Sequence, residues 1–210
     1  WLPVIFMALM VGGCALTSTS RKHIPLFTVC VAFSMQFWFC VLTSRTSFAW
    51  LISYLACQMT NLINYANAGA EFVFGPDLIS TFAFGVLPII VWFSTIVSVL
   101  LYCSLLQLIF QHFGGFFAWV LQVSRVEGII VIANIFLSMT EAPLLLTPLL
   151  KTLTRSQLFV VMVGGFASVA GSVLGAYISF GIDADDLLAA CLMSAPASLA
   201  IAKLMVPETP

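Results

Sequence analysis

The sequence predicts an all-α polytopic membrane protein, and three observations carry that prediction. Hydrophobic residues make up 62% of the 210 and charged residues only 7%, against about 45–50% and about 25% in soluble domains. The apolar residues gather in runs near the length of about 20 that a helix needs to cross about 30 Å of hydrocarbon. One segment instead places two half-length apolar arms around a polar tip, the pattern of a re-entrant hairpin. Seven Lys plus Arg and eight Asp plus Glu are too few to solvate the surface of a globule this size. A soluble protein, a nucleic-acid binder and a disordered tail are thereby excluded.

The expected architecture is about five spanning helices, an interfacial amphipathic helix and one re-entrant helical hairpin. The chain opens on Trp1 rather than Met and reads as a segment of a longer one. Residues 1–18 form the first span and end at the basic cluster Arg21, Lys22, His23; residues 24–43 form the second. Residues 48–67 differ. Leu51, Leu55, Met59, Leu62 and Ile63 recur near helical spacing, with Ser53, Gln58, Asn61 and Asn64 between them. That pattern predicts an amphipathic helix lying along the interface, followed by a turn-rich stretch over 67–77. The longest apolar run, 82–110, holds Pro88, which removes a backbone donor and predicts a kink or a helix start.

The next segment is the informative one. Arg125 and Glu127 open a helical arm over 128–137, whose ten residues rise only about 15 Å, half a membrane. A polar knot follows at Ser138, Met139, Thr140, Glu141, Ala142 and Pro143, then a second short arm over 144–150. Non-helical backbone at membrane depth survives only beside protein or a watery cavity, so this hairpin is expected to line a site. Residues 158–180 are long enough to span but carry Gly164, Gly165, Ala167, Ser168, Ala170, Gly171, Ser172, Gly175 and Ala176. Two readings stand open: small-xxx-small packing against a neighbouring helix, or local unwinding near 167–171 that frees carbonyls for an ion. The acidic loop Asp183, Asp185, Asp186 precedes a last span, 187–205. Three regions are expected: 1–75, 76–182, and 183–210 as the start of a further region.

Glu141 is the sharpest candidate, because an ionisable group between apolar arms marks a substrate or ion path by default; helix capping with Thr140 is the structural alternative. Asn134 on the first arm needs partners once buried. Its carboxamide oxygen suits a hard cation such as Na⁺, and interhelical hydrogen bonding is the other choice; Ser168 poses the same question. An enzyme is poorly supported. No Ser/His/Asp set is discernible, His23 and His112 read as interfacial, and no G-x-x-x-x-G-K-[ST] loop is present to bind ATP. A gradient-driven carrier fits better.

The stretch from Asn134 through Leu145, NIFLSMTEAPLL, closely resembles the first hairpin of the concentrative nucleoside transporters. The resemblance continues through Gly164–Tyr177, GGFASVAGSVLGAY, and through NYANAG at 64–69, FVFG at 72–75, VLPI at 86–89 and MSAP at 193–196. It covers essentially the whole chain and implies the first half of an inverted-repeat transporter: a sodium-coupled nucleoside symporter, with H⁺ as an alternative coupling ion and no organic cofactor. By motif position it implies that Thr140 and Glu141 contact the nucleoside, that Ser138 and Met139 face its base, and that Val173 lines the same pocket. It implies that Asn134, the Leu137 carbonyl, Ser168 and the Val169 carbonyl hold Na⁺. It also implies a plasma-membrane carrier that is a homotrimer when full length, with the lipid bilayer and nucleosides as partners and no nucleic acid.

Two departures stand out. Met139 occupies a place where many members have Gln, and a thioether is a weaker acceptor than an amide. With Ser138 before it, the pair mixes purine-like and pyrimidine-like signatures, so the expectation is purine transport, adenosine included, with broader selectivity. Thr147 stands where Arg is frequent. No counterpart of the family's second hairpin lies within these residues. The competing reading is a truncated, non-transporting paralogue that assembles with full-length subunits and modulates them.

Overall fold

A computed structural model describes residues 2–45, 48–79, 81–137, 141–147 and 150–208. The regular elements among them are all helical: α1 (Leu2–Leu16), α2 (Leu26–Arg45), α3 (Phe48–Phe74), α4 (Phe82–Gly85), α5 (Leu87–Tyr102), α6 (Leu105–Leu121), α7 (Arg125–Phe136), α8 (Glu141–Leu145), α9 (Arg155–Ala167), α10 (Gly171–Ser179) and α11 (Ala184–Met205). Their outer surface is apolar: Phe6, Trp38, Trp50, Phe72, Tyr102, Trp119 and Phe166 are all exposed. Water would penalise such a surface and lipid does not. Among the described residues, Leu26–Thr43, Phe82–Tyr102 and Ala184–Met205 are long and apolar enough to cross a membrane. A fourth crossing is available if α6 and the residues up to Ile135, bent by 118°, act as one. Of the five expected spans, the first is a 15-residue helix and the fourth is the broken pair α9 and α10.

Helix α3 sharpens the interfacial expectation and corrects part of it. It continues to Phe74 through the stretch read as turn-rich, since Ala68, Ala70 and Glu71 favour helix enough to offset Gly69. Its buried stripe is Ile52, Ala56, Ile63, Ala66 and Ala70, whereas Leu51 and Leu55 are exposed. The Ser53 hydroxyl donates to Asp185 at 2.6 Å, at the start of α11. Asn67 and Glu71 share a cavity with Ser179 and Phe180, at the end of α10. Both stretches of α3 therefore meet the same end of the bundle, and the helix lies across it. The run 82–110 is also divided. Pro88 opens α5 as expected, but Ser104 takes left-handed backbone (φ 59°) and turns the chain into α6; Gln122 (φ 51°) ends α6 the same way.

Helix α6 folds back on α7 at two glycines. A Cβ on Gly128 would lie 2.2 Å from the Gly114 carbonyl oxygen and 2.8 Å from Ala118 Cβ; only glycine admits this approach. The base of α7 is fixed by a capping box: Glu127 N–H donates to Ser124 Oγ (3.3 Å) and Ser124 N–H to Glu127 Oε2 (3.1 Å). Helix α9 begins with a second box between Thr154 and Gln157. Gln157 Nε2 then donates to Ser124 Oγ at 3.2 Å, so the two helices start side by side. Both starts are tied to the end of α11. Ser156 Oγ donates to the Val206 carbonyl (2.7 Å) and accepts from Lys203 Nζ (3.1 Å). Thr19 N–H donates to the Met205 carbonyl at 2.9 Å, bringing the α1–α2 connection to the same end. Arg21, Lys22, Arg125, Lys151, Arg155 and Lys203 thus gather at one end of the bundle, with Arg45 at the other.

Candidate functional site

Ser124 and Thr154 both lie at this basic end, so the segment between them begins and finishes there. Beyond Glu127 its first arm, α7, is apolar except at Asn134 and largely buried: Ile130, Val131, Ile132, Ala133 and Ile135 line the main core. Within that setting Asn134 is 1% exposed. Neither its Oδ1 nor its Nδ2 has a hydrogen-bond partner among the described residues. A carboxamide buried without partners costs about 1–3 kcal/mol, and native chains keep such groups where a ligand satisfies them.

Two features of the neighbouring helix explain where this amide points. Gly164 in α9 faces it so closely that a Cβ there would lie 2.2 Å from Asn134 Nδ2. One turn on, α9 stops at Ala167 and α10 starts at Gly171. Ser168 (φ −109°, ψ 156°) and Ala170 (φ −60°, ψ 141°) are extended between them. The helix is unwound where the small residues cluster, and the glycines serve packing as well: a Cβ on Gly175 would meet Ile89 at 2.8 Å. Close packing and unwinding both occur in this span, at different residues. Ser168 Oγ donates to the Gly164 carbonyl at 2.9 Å, which leaves its oxygen lone pairs available as acceptors.

Of the residues singled out from the sequence, Asn134 and Ser168 both border Gly164. Leu137 is fully buried and ends α7 in extended backbone, its N–H donating to the Ala133 carbonyl at 2.8 Å. Val169 lies in the unwound segment, and Val173 is half-buried in the first turn of α10. Ser138, Met139 and Thr140 lie outside the described residues, as does the side chain of Glu141, whose backbone opens α8. The donor set is one of amide, hydroxyl and carbonyl oxygens, the hard ligands that a cation such as Na⁺ prefers. Among the described residues no three His, Cys, Asp or Glu come together for a transition metal.

Sequence reasoning missed the ion pair at the hairpin's base. Glu127 and Lys203, 1% and 3% exposed, approach to 2.5 Å. Two signals were available: the Ser124-x-x-Glu127 capping pattern, and a lysine near the end of an apolar run, which must find a partner when buried.

An all-helical chain with an apolar exterior and a helix broken beside a buried amide, unpartnered among the described residues, has the build of a discontinuous-helix integral membrane protein. Residues 6–77 match the family described as "Na+ dependent nucleoside transporter N-terminus" and residues 83–184 match "Nucleoside recognition". The chain is 42% identical over 210 residues to sodium/nucleoside cotransporter 1 of Mus musculus, covering 97% of this chain and 31% of that protein. It is 45% identical over 170 residues to solute carrier family 28 member 3 of Rattus norvegicus, covering 80% of this chain and 24% of that one. A structure of CNTnw in an inward-facing substrate-bound state superposes with a TM-score of 0.91 at 39% identity, over 97% of this chain and 52% of that chain. The chain belongs to the sodium-dependent nucleoside transporter family. It spans about a quarter to a third of the length of the curated relatives it matches, which are transporters and not enzymes.

Proposed function

We propose that this chain supplies the sodium site and half of the substrate site of a nucleoside symporter. In this reading the carrier moves purine, and also pyrimidine, nucleosides into the cell across the plasma membrane by alternating access. The observation that carries it is the Asn134 carboxamide, buried, unpartnered among the described residues, and set against Gly164 beside the α9–α10 break. Asn134, the Leu137 carbonyl, Ser168 and the Val169 carbonyl hold Na⁺, with H⁺ as the alternative coupling ion. An ion bound there bridges the end of α7 to the unwound segment and so fixes the connection leading to Ser138, Met139, Thr140 and Glu141. Those four residues and Val173 contact the nucleoside, with Glu141 accepting hydrogen bonds from it. Coupling follows from this order of events: the tip is set for substrate only when the cation holds its root. The full carrier is a homotrimer.

The test is uptake of labelled adenosine and thymidine, with and without a sodium gradient. It is run in cells expressing residues 1–210 alone, and a full-length carrier in which these residues replace the matching stretch of the Mus musculus relative. Sodium-dependent uptake of adenosine by the full-length carrier is the expected result. Uptake indifferent to the gradient, or none from a carrier that reaches the surface, overturns the reading. In the second case, suppression of a co-expressed full-length carrier by residues 1–210 would identify a modulatory subunit instead.

A further inference from the structure

The Glu127–Lys203 pair has no part in the site described above, yet it is the most deeply buried pair of charges among the described residues. Burying two charges is costly unless each is offset by its opposite and by hydrogen bonds. Glu127 Oε1 meets Lys203 Nζ while its Oε2 accepts from Ser124 N–H. The Lys203 ammonium donates to Ser156 Oγ at 3.1 Å and to Glu208 Oε2 at 3.2 Å, and faces Glu127 Oε1 as an ion pair without a hydrogen bond. Thr154 Oγ1 in turn donates to Glu208 Oε1 at 2.8 Å. The acid sits in the first turn of α7 and the lysine in the last turn of α11, the ends where the helix dipoles favour those signs.

The geometry gives this network a reach beyond its own contacts. Asn134 follows Glu127 by seven residues, so it lies on the same face of α7, about 20° off and about 10 Å further along. Gly164 follows Ser156 by eight residues, about 12 Å along α9. Glu127 and Ser156 both meet Lys203, and Asn134 meets Gly164. Helices α7 and α9 are therefore side-by-side rods of nearly equal length, joined at one end through the Lys203 ammonium and the Gln157–Ser124 hydrogen bond and meeting at the other where Asn134 faces Gly164. A slide of α7 against α11 at the base moves Asn134 by the same distance along Gly164 and the start of the break.

We propose that the buried Glu127–Lys203 pair is a positioning device for the cation site: it fixes the height of Asn134 against Gly164 and thereby sets the apparent sodium affinity without touching the ion. This rests on the reading of Asn134 as a sodium ligand. Glu127 and Lys203 are positioning residues, and the substrate-contacting tip is not their target.

The test uses the same full-length carrier, with uptake measured against sodium concentration. Glu127→Gln keeps the capping box, because glutamine at that position can still accept from Ser124 N–H, and removes only the charge that faces Lys203. The expected result is a sodium half-saturation raised about three- to tenfold, toward the lower end of what loss of a supporting residue costs a metal site. Nucleoside KM at saturating sodium and the maximal rate per surface carrier are expected to stay within about twofold. Lys203→Arg, which retains the charge, restores wild-type sodium dependence. If Glu127→Gln fails to reach the surface, the double variant Glu127→Gln, Lys203→Met leaves no buried unpaired charge, Glu208 being half-exposed to water, and is expected to show the same raised half-saturation. Unchanged half-saturation in whichever variant is measured, with only a lower surface amount, overturns the proposal and leaves the pair a fold-stabilising contact. A parent carrier whose uptake ignores sodium overturns the underlying reading instead, which separates the two failures.

Discussion

The two ends of α7 treat a buried polar side chain in opposite ways. At its base Glu127 has Oε2 hydrogen-bonded by Ser124 N–H and Oε1 held against the Lys203 ammonium as an ion pair. One heptad along the same face, Asn134 is buried to the same degree and has no partner among the described residues. Burial is equal, the helix is the same, and only satisfaction differs. A polar group that is buried and satisfied is part of the scaffold. One that is buried and unsatisfied has been left for something that arrives later, and its desolvation cost is recovered only then.

That contrast breaks most sharply at the tip. Asn134→Leu removes the amide that has no partner among the described residues and keeps its branched outline at a larger volume, so the folded chain is expected to be about as thermally stable as the parent. Sodium-stimulated uptake is expected to fall about 100-fold or more, beyond the roughly 10–100-fold that loss of a residue supporting a ligand costs, because Asn134 is itself the proposed ligand. Melting of the purified carrier and uptake against a sodium gradient read the two quantities. A large loss of stability together with uptake would mean that Asn134 is an ordinary core hydrogen-bonding residue whose partner lies elsewhere.

The base should respond in the reverse sense. Lys203→Met leaves the Glu127 carboxylate buried without a cation and is expected to cost about 3–5 kcal/mol of stability. Adding Glu127→Gln should recover most of that, because what is expensive is one charge without the other. A double-mutant cycle on unfolding midpoints measures the coupling, and additive losses would show that the pair is not a unit.

Much of this comparison was legible in the sequence. A lone Asn in an apolar half-length arm, and a span crowded with small residues, point to the amide and to the break because both depend on local composition. The base was not legible for a physical reason: Glu127 and Lys203 stand 76 residues apart, and no periodicity encodes which helix ends meet. The division at Ser104 was hidden too, because the left-handed backbone there falls on a serine rather than on the glycine that normally signals it. The length of α3 was missed by giving Asn67 and Gly69 the weight of a turn, when packing of Ala66 and Ala70 in its buried stripe overrides a weak local preference.

Between tip and base lies Gly164, where the contrast can be sharpened without changing any polar group. Gly164→Ala places a methyl group 2.2 Å from where Asn134 Nδ2 now sits. Either the amide shifts or the helices part, and overpacking of this kind costs about 1–3 kcal/mol. Sodium half-saturation is expected to rise, with nucleoside KM at saturating sodium little changed. Wild-type sodium dependence in Gly164→Ala would mean that the amide's position against α9 does not matter to the ion.

The smallest effect is expected from the other carboxylate on the same ammonium. Glu208 approaches Lys203 to 3.2 Å, but its side chain is 47% exposed where that of Glu127 is 1%. Water already solvates it, so its ion pair is screened and worth at most about 1 kcal/mol. Glu208→Gln is therefore expected to lower the unfolding midpoint slightly, by an amount that shrinks further as salt is raised, and to leave sodium half-saturation unchanged. The charge removed is the same as in Glu127→Gln and the partner is the same. The two variants differ only in how much water the carboxylate had to give up, and in whether it stands on the helix that carries Asn134. Equal effects of the two substitutions on sodium dependence would assign the function to the net charge around Lys203 rather than to the height of α7.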